Sequence, residues 1–261
     1  MRPRSAGSLV LAAALLALPV WRQAPRTTKY RIDQTLAQEI DATSAGKGKQ
    51  SISFSTSSFV SVTLADTAGG RSMRVVVDSM RGDSTAPIPA TVFDSARGAE
   101  YRGFLSSTGK LSELVPASTT PAAAQVQGLL ADFFPWVKAG LKIGENWADT
   151  TSRTTGEAPD TVTVRRIVAY KAAASETRNA RKAVRVTSDY SSTVSGSQPT
   201  PNGPARIEGT STGRGIYFVS PDGLYLGGDW QLQSALKISG SFANEPLPIT
   251  IKQTTKVTAL K

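Results

Sequence analysis

The sequence predicts a mainly β protein: one antiparallel sheet of about ten strands, with a single helix covering its open side. Three observations predict it. After residue 28, apolar and polar side chains alternate along most of the chain, the period of a half-buried strand. Turn-forming residues recur at short intervals, so successive strands run antiparallel. Only the stretch from Pro121 to Phe134 changes to a helical period, and one amphipathic helix is an ordinary cover for the apolar face of a sheet.

The strands follow in order. Tyr30, Ile32, Leu36 and Ile40 share one face of residues 28–41, with Arg31, Asp33 and Glu39 opposite. Residues 45–49 turn the chain. Ile52, Phe54, Val60, Val62 and Leu64 then mark a second strand over 51–65, and Met73, Val75 and Val77 begin a third beyond the turn at 66–70. Pro87 and Pro89 interrupt. A short hairpin is expected from 100–106 and 111–115, around Ser107-Thr108-Gly109-Lys110.

The helix follows. Pro121 suits a first helical turn, and Thr119 or Thr120 can cap it. Val126, Leu129, Leu130, Phe133 and Phe134 are spaced as one buried stripe, and Pro135 ends or kinks the helix. Two readings of the stripe stand side by side. It is core, or it is a lid over a lipid-sized cavity walled by Leu129, Leu130, Phe133, Phe134 and Trp136. Beyond it, Gly144-Glu145-Asn146-Trp147 sets a Trp after a tight turn, and Trp230 sits in a later strand. Both tryptophans read as core or as ligand wall.

Strands at 160–170, 183–194 and 206–213 come next. Residues 215–219, Ser220-Pro221-Asp222-Gly223 and the arm 224–239 form the cleanest hairpin, with a bulge expected at Gly227-Gly228. Residues 191–204, rich in Ser, Pro and Gly, read as a loop, and 249–260 as the last strand.

Domain organisation is simple. Arg2 and Arg4 precede the 12-residue apolar run Leu9–Val20, which is short for a membrane span and fits a secretory signal. The expectation is a signal peptide or uncleaved anchor over 1–26 and one β-rich domain over 27–261, exported to the periplasm or outer envelope. A chain of 261 residues buries about 70–75% of its unfolded surface without staples. There is no cysteine, hence no disulfide and no lipid-anchoring Cys.

The net charge of +10 is concentrated. Arg2, Arg4, Arg22, Arg26 and Lys29 precede any acid, and the remaining 25 basic and 20 acidic side chains leave +5. Arg165, Arg166, Lys171, Arg178, Arg181, Lys182 and Arg185 face only Glu176 in their stretch. They read as a solvated face or as a contact with an anionic membrane surface. Nucleic acid is not expected, since the basic residues are not interleaved with aromatics and the chain carries an export signal.

Chemistry is limited by composition. With no histidine and no cysteine, Ser-His-Asp and Cys-His catalysis and His-ligated zinc are excluded. Ser107-x-x-Lys110 matches a penicillin-binding pattern, but its partner motifs are absent and it falls in a turn. Gly103 to Lys110 misses the phosphate-loop spacing. Arg81-Gly82-Asp83 reads as a turn. No cofactor or metal is implied, and a non-enzymatic role is expected.

The Lys142-Ile143-Gly144-Glu145-Asn146-Trp147 turn after the helix, the late strand Gly213-Arg214-Gly215-Ile216-Tyr217-Phe218 and the Gly223-Leu224 turn resemble uncharacterised secreted bacterial β-rich proteins. More loosely they resemble the half-barrels of the LolA and LppX lipoprotein- and lipid-carrier group. The resemblance implies a curved sheet, or half-barrel, with the amphipathic helix packed on its concave face. It also implies binding of lipid or lipoprotein acyl chains. The expected ligand residues are Leu129, Leu130, Phe133, Phe134, Trp136, Trp147 and Trp230. The alternative is a structural or protein-interaction module of the envelope with a fully packed core and no ligand.

Overall fold

The structure, a computed structural model, describes residues 24–118, 120–130, 133–200, 203–241 and 245–260. The expected export signal lies outside them as far as residue 23. Eleven strands form one sheet: β1 (Arg26–Ala42), β2 (Gly48–Thr67), β3 (Gly70–Gly82), β4 (Glu100–Ser106), β5 (Val115–Pro116), β6 (Asn146–Glu157), β7 (Asp160–Arg178), β8 (Arg181–Thr200), β9 (Gly203–Val219), β10 (Tyr225–Ser239) and β11 (Leu247–Ala259). Two helices, α1 (Ala90–Ser95) and α2 (Pro121–Leu130), lie between β3 and β6.

Every pairing is antiparallel, in the order β5-β4-β3-β2-β1-β11-β10-β9-β8-β7-β6. The chain starts mid-sheet and winds outward to β5. It then crosses to the far edge at β6 and winds back until β11 pairs with β1. Tyr30 lies opposite both Ala259 and Val60, which fixes the inner face at the sheet centre.

The sheet curls and stays open. Laid flat, strands about 4.8 Å apart would hold the β4 and β6 ends roughly 40–50 Å from each other. Yet Leu111 bridges to Leu105 of β4, and its neighbour Lys110 reaches Asp149 of β6 at 2.5 Å. Glu113 and Arg153 meet at 2.8 Å along the same seam. Side chains rather than a backbone ladder join the two edges.

The core fills one end of this curve. Tyr30 and Ile32 of β1, Val60 and Val62 of β2, Val75 of β3, Tyr217 of β9 and Val257 of β11 are buried together with Val126, Leu130 and Phe133. The expected cap is present, with Ala123 N donating to Thr120 Oγ1 at 3.2 Å. Tyr101 Oη donates to Ala123 O at 2.7 Å, and Gln127 Nε2 to Leu114 O at 2.8 Å, tying α2 to its surroundings. Among the described residues the helix covers Pro121–Leu130, and Phe133 and Phe134 already lie outside it. The ring of Pro135 clashes with a helical carbonyl four residues back and pushes Phe134 out of the helical region.

Four further expectations change. Residues 191–204 are not a loop: β8 runs to Thr200 and β9 starts at Gly203, so Ser and Thr there are strand residues. Gly196 sits in β8 because a Cβ would meet Thr161 O at 2.1 Å. The stretches 206–213 and 215–219 belong to one strand, β9. The expected arm 111–115 reduces to the Leu111 bridge and two-residue β5, while β6 was not expected. The bulge at Gly227-Gly228 is present, as a register shift between Tyr225 and Gly228.

Candidate functional site

Residues 107–145 close the core end of the curve, and hydrogen bonds from four places hold them there. Trp136 Nε1 donates to Thr108 O at 2.7 Å, and Val137 N to Gly109 O at 3.0 Å. Tyr217 Oη of β9 donates to Trp136 O at 2.7 Å. Gly140 N donates to Pro221 O at 3.1 Å, in the turn between β9 and β10. Gly144 N donates to Ala172 O at 2.8 Å, and Ala172 N returns a bond to Glu145 O at 2.9 Å. Gly109 is required at this clamp, for its φ is +85° and a Cβ would fall 1.8 Å from Val137 O.

An aromatic row runs under this cap. Phe133 and Phe134 meet edge-on at 5.8 Å, Tyr30 stacks on Tyr225 at 5.5 Å, and Phe134 approaches Tyr225 at 5.1 Å. Tyr217 links Tyr225 at 6.4 Å to Tyr170 at 6.2 Å, and Trp147 stacks on Tyr170 at 5.4 Å. Burial raises the hydroxyl pKa values of Tyr30, Tyr217 and Tyr225 above the ordinary tyrosine range, and pushes that of Tyr101 up to about 12.

The expected ligand residues therefore divide. Leu130 and Phe133 are 1% and 0% exposed and are core. The side chain of Leu129 lies outside the described residues. Trp147 packs against Tyr170, and its Nε1 is buried with no hydrogen-bond partner among the described residues. Phe134, Trp136 and Trp230 line a cavity of about 160 Å³ where the cap meets β6–β10. Its other walls include Tyr170 and Tyr190, which sequence reasoning missed although both alternate onto the inner face.

The cavity is also charged. Lys110, Asp149, Arg166 and Arg214 line it. Lys110 pairs with Asp149 and lies over the Trp136 ring at 5.7 Å, while the Arg166 guanidinium lies over Tyr190 at 5.8 Å. The seven basic residues thus do not form one surface. Arg166 alternates inward with Val168 and Tyr170, whereas Arg165 and Lys171 are exposed on the outer face. Arg178 lies over Phe218 at 4.7 Å, Arg185 pairs with Glu176 at 3.1 Å, and Arg181 and Lys182 are exposed at the β7–β8 turn.

Away from the cap, the inner face continues as a wall of apolar side chains interspersed with uncharged Gln34, Gln38, Ser234 and Gln253. Leu36 and Ile40 of β1, Phe54 of β2, Leu232 and Leu236 of β10 and Ile251 of β11 occupy inward positions. They are half-buried and belong to neither buried cluster. Gly209 and Gly213 of β9 leave room for Leu236 and Leu232 to lie across them, with side-chain carbons 2.7 and 3.1 Å from where a Cβ would stand. The wall extends over residues 34–42 of β1, about 26 Å at a rise near 3.3 Å per residue. The alternate positions, among them Glu208, Thr212 and Arg214 of β9, Gln233 and Lys237 of β10, and Lys252 and Lys256 of β11, are exposed and polar.

No helix among the described residues is long and apolar enough to cross a membrane. No protein-family model matches the chain, and no curated protein matches it. One solved structure similar to it is the crystal structure of Pseudomonas aeruginosa OccK2 (OpdF), at 9% identity and a TM-score of 0.23, covering 91% of this chain and 98% of that one.

Proposed function

We propose that the protein is a non-enzymatic component of the cell envelope that holds an elongated apolar or acyl-bearing ligand along its concave inner face. One observation carries the reading. Beyond the packed core, Leu36, Ile40, Phe54, Leu232, Leu236 and Ile251 stay half-buried on the inward face among uncharged Gln, Ser and Thr, while the outward positions of β9–β11 are mostly polar and exposed. A surface of this kind gains about 25 cal/mol for each Å² of apolar area that a ligand removes from water. The reading rests on that wall and on the aromatic cavity at its closed end, not on the carrier-group resemblance. A module with a fully packed core would bury those residues. The apolar run Leu9–Val20 supports export. Exposed Arg165 and Lys171, with Ile167 and Ile216 41% and 42% exposed nearby, support a contact of the outer face with anionic lipid.

The test is uptake of a fluorescent fatty acid by protein purified without detergent, with native mass spectra of the same sample. The expected result is near one-to-one binding that Leu36→Asp weakens at least tenfold with the urea midpoint nearly unchanged. A protein that takes up no fatty acid and carries none from its host refutes the proposal.

A further inference from the structure

We infer that the cavity at the closed end of the wall binds a hexopyranose ring, so that the ligand is a glycolipid headed by one neutral sugar. The inference rests on the proposed function and adds the head group to it. The cavity exists because small residues separate large aromatic ones. Tyr170 of β7, Ser188 of β8, Gly215 of β9 and Trp230 of β10 share one register level. Three strand spacings of about 4.8 Å therefore part the two aromatic side chains. The floor between them is low, for a Cβ at Gly215 would stand 2.7 Å from Ser188 Oγ and 3.0 Å from Trp230 Cβ. Trp136 closes the slot from the cap, held by its Nε1 bond to Thr108 O, and meets Tyr170 edge-on at 6.1 Å. The resulting volume of about 160 Å³ compares with the roughly 150 Å³ that admits a single six-membered ring.

The polar groups of the lining choose among rings. Its charged side chains are already engaged: Lys110 pairs with Asp149 at 2.5 Å, Arg214 with Asp189 at 3.5 Å, and the Arg166 guanidinium lies over Tyr190 at 5.8 Å. The cavity thus offers hydrogen-bonding groups of both signs rather than a seat for a net charge. The Asp149 carboxylate accepts, the Arg166 guanidinium donates, and the Ser188 hydroxyl and Gln253 amide do both. A hydrocarbon ring would strip water from these groups and replace none of its hydrogen bonds, and a quinone could not donate to the carboxylate. A pyranose meets all of them, since each of its hydroxyls donates one hydrogen bond and accepts two. Its C–H faces pack on the faces of Trp136, Trp230 and Tyr170. Leu232 and Gln253 belong to both cavity and wall, and Leu36 is the register partner of Gln253, so an alkyl chain leaving the ring runs straight onto the wall.

The experiment titrates the full protein with dodecyl glucoside, dodecyl galactoside, dodecyl mannoside and dodecanol, each displacing the same fluorescent fatty acid. Methyl glycosides of the three sugars, followed by Trp emission, report binding of sugar without a tail. At least one dodecyl glycoside is expected to bind wild-type protein tenfold or more tighter than dodecanol. Trp230→Leu removes a ring face and Ser188→Leu fills the floor, and each should cut that preference at least tenfold. Variants that weaken glycoside and dodecanol in proportion, with a lower urea midpoint, show a purely structural role and overturn the inference. Equal binding of glycosides and dodecanol by wild-type protein also overturns it, leaving the wall as the ligand site. Methyl glycosides that bind where no dodecyl compound does refute the glycolipid and the wall together. Failure of dodecanol and of every glycoside to bind overturns the proposed function itself.

Discussion

Phe133→Ala separates the core from the ligand surface most sharply. Phe133 is 0% exposed, meets Tyr30 edge-on at 6.3 Å and Phe134 at 5.8 Å, and lies outside the cavity lining. Removing the ring forfeits about 1.5–3 kcal/mol of transfer free energy. The edge-on contacts and the void left among Tyr30, Phe134 and their neighbours carry the loss to about 3–5 kcal/mol. For a chain of this length that is a fall in Tm of roughly 6–20 °C, at about 2–4 °C per kcal/mol. Equilibrium urea unfolding should show a lower midpoint at an unchanged slope, the mark of lost stability rather than of altered compactness. Fatty-acid affinity, measured well below the new Tm, should stay within about threefold of wild type. A stability loss under about 1 kcal/mol with a tenfold loss of affinity would refute the assignment of Phe133 to the core.

Three other outcomes follow from the structure. Gly109→Ala forces a Cβ onto Val137 O in a left-handed conformation and should cost at least 1–3 kcal/mol from backbone strain alone, read in the urea midpoint and in red-shifted emission as Trp136 leaves its site. Alkaline titration should leave stability flat below about pH 10 and reduce it above, because Tyr30, Tyr101, Tyr217 and Tyr225 keep their protons when folded at a pH where the unfolded chain has released them; tyrosinate absorbance that rises at pH 10 without unfolding would contradict their burial. Arg165→Gln with Lys171→Gln should weaken binding to phosphatidylserine vesicles about thirtyfold at low salt, from about 1 kcal/mol per cation, and an unchanged sedimented fraction would remove the outer face from membrane contact.

The strands were legible because their inner face is apolar and their outer face is not. Tyr30–Ile32, Val60–Leu64 and Tyr225–Ser239 were placed by alternation and turn chemistry alone. Legibility failed where burial fell away. In β6 both faces are open for most of Thr151–Gly156, so Ser, Thr, Gly and Arg suffice and no period survives in the sequence. The far half of β8 read as a loop for the same reason: inward Ser192 and Gly196 are small, and the composition resembles a linker although β9 pairs with it to Thr200 and β7 as far as Gly196. The cavity was half legible. Trp136 and Trp230 drew attention by size, but Lys110, Asp149 and Arg166 converge through the curl that brings β6 to the β4 edge, and neither spacing nor composition encodes that meeting. Reading the basic stretch as one surface ignored the alternation that turns Arg166 away from Arg165.

The distribution of charge across the sheet also separates two ways of using an antiparallel meander of long strands. A membrane-spanning barrel carries an outward apolar band about 25 Å tall and a polar interior, and Lys or Arg on its lipid face costs about 2–4 kcal/mol at mid-depth. Here the polarity is reversed. Along β9–β11 the outward positions hold Arg206, Glu208 and Arg214, Lys237, and Lys252 and Lys256, all exposed, with no apolar interval as tall as such a band. The inward positions across the same span hold Ile207, Leu232, Leu236, Ile238, Ile249 and Ile251, with Ser211, Ser234, Gln253 and Thr255 between them and no charged side chain. Water therefore suits the outside of this sheet, and an apolar occupant suits the inside. The open seam between the β4 edge and β6 gives such an occupant a lateral way in. That seam is held by Lys110–Asp149 and Arg153–Glu113, side-chain contacts that can part without breaking a strand ladder. On the function proposed above, this uncharged groove inside a water-exposed shell is where an acyl chain would be held outside a bilayer.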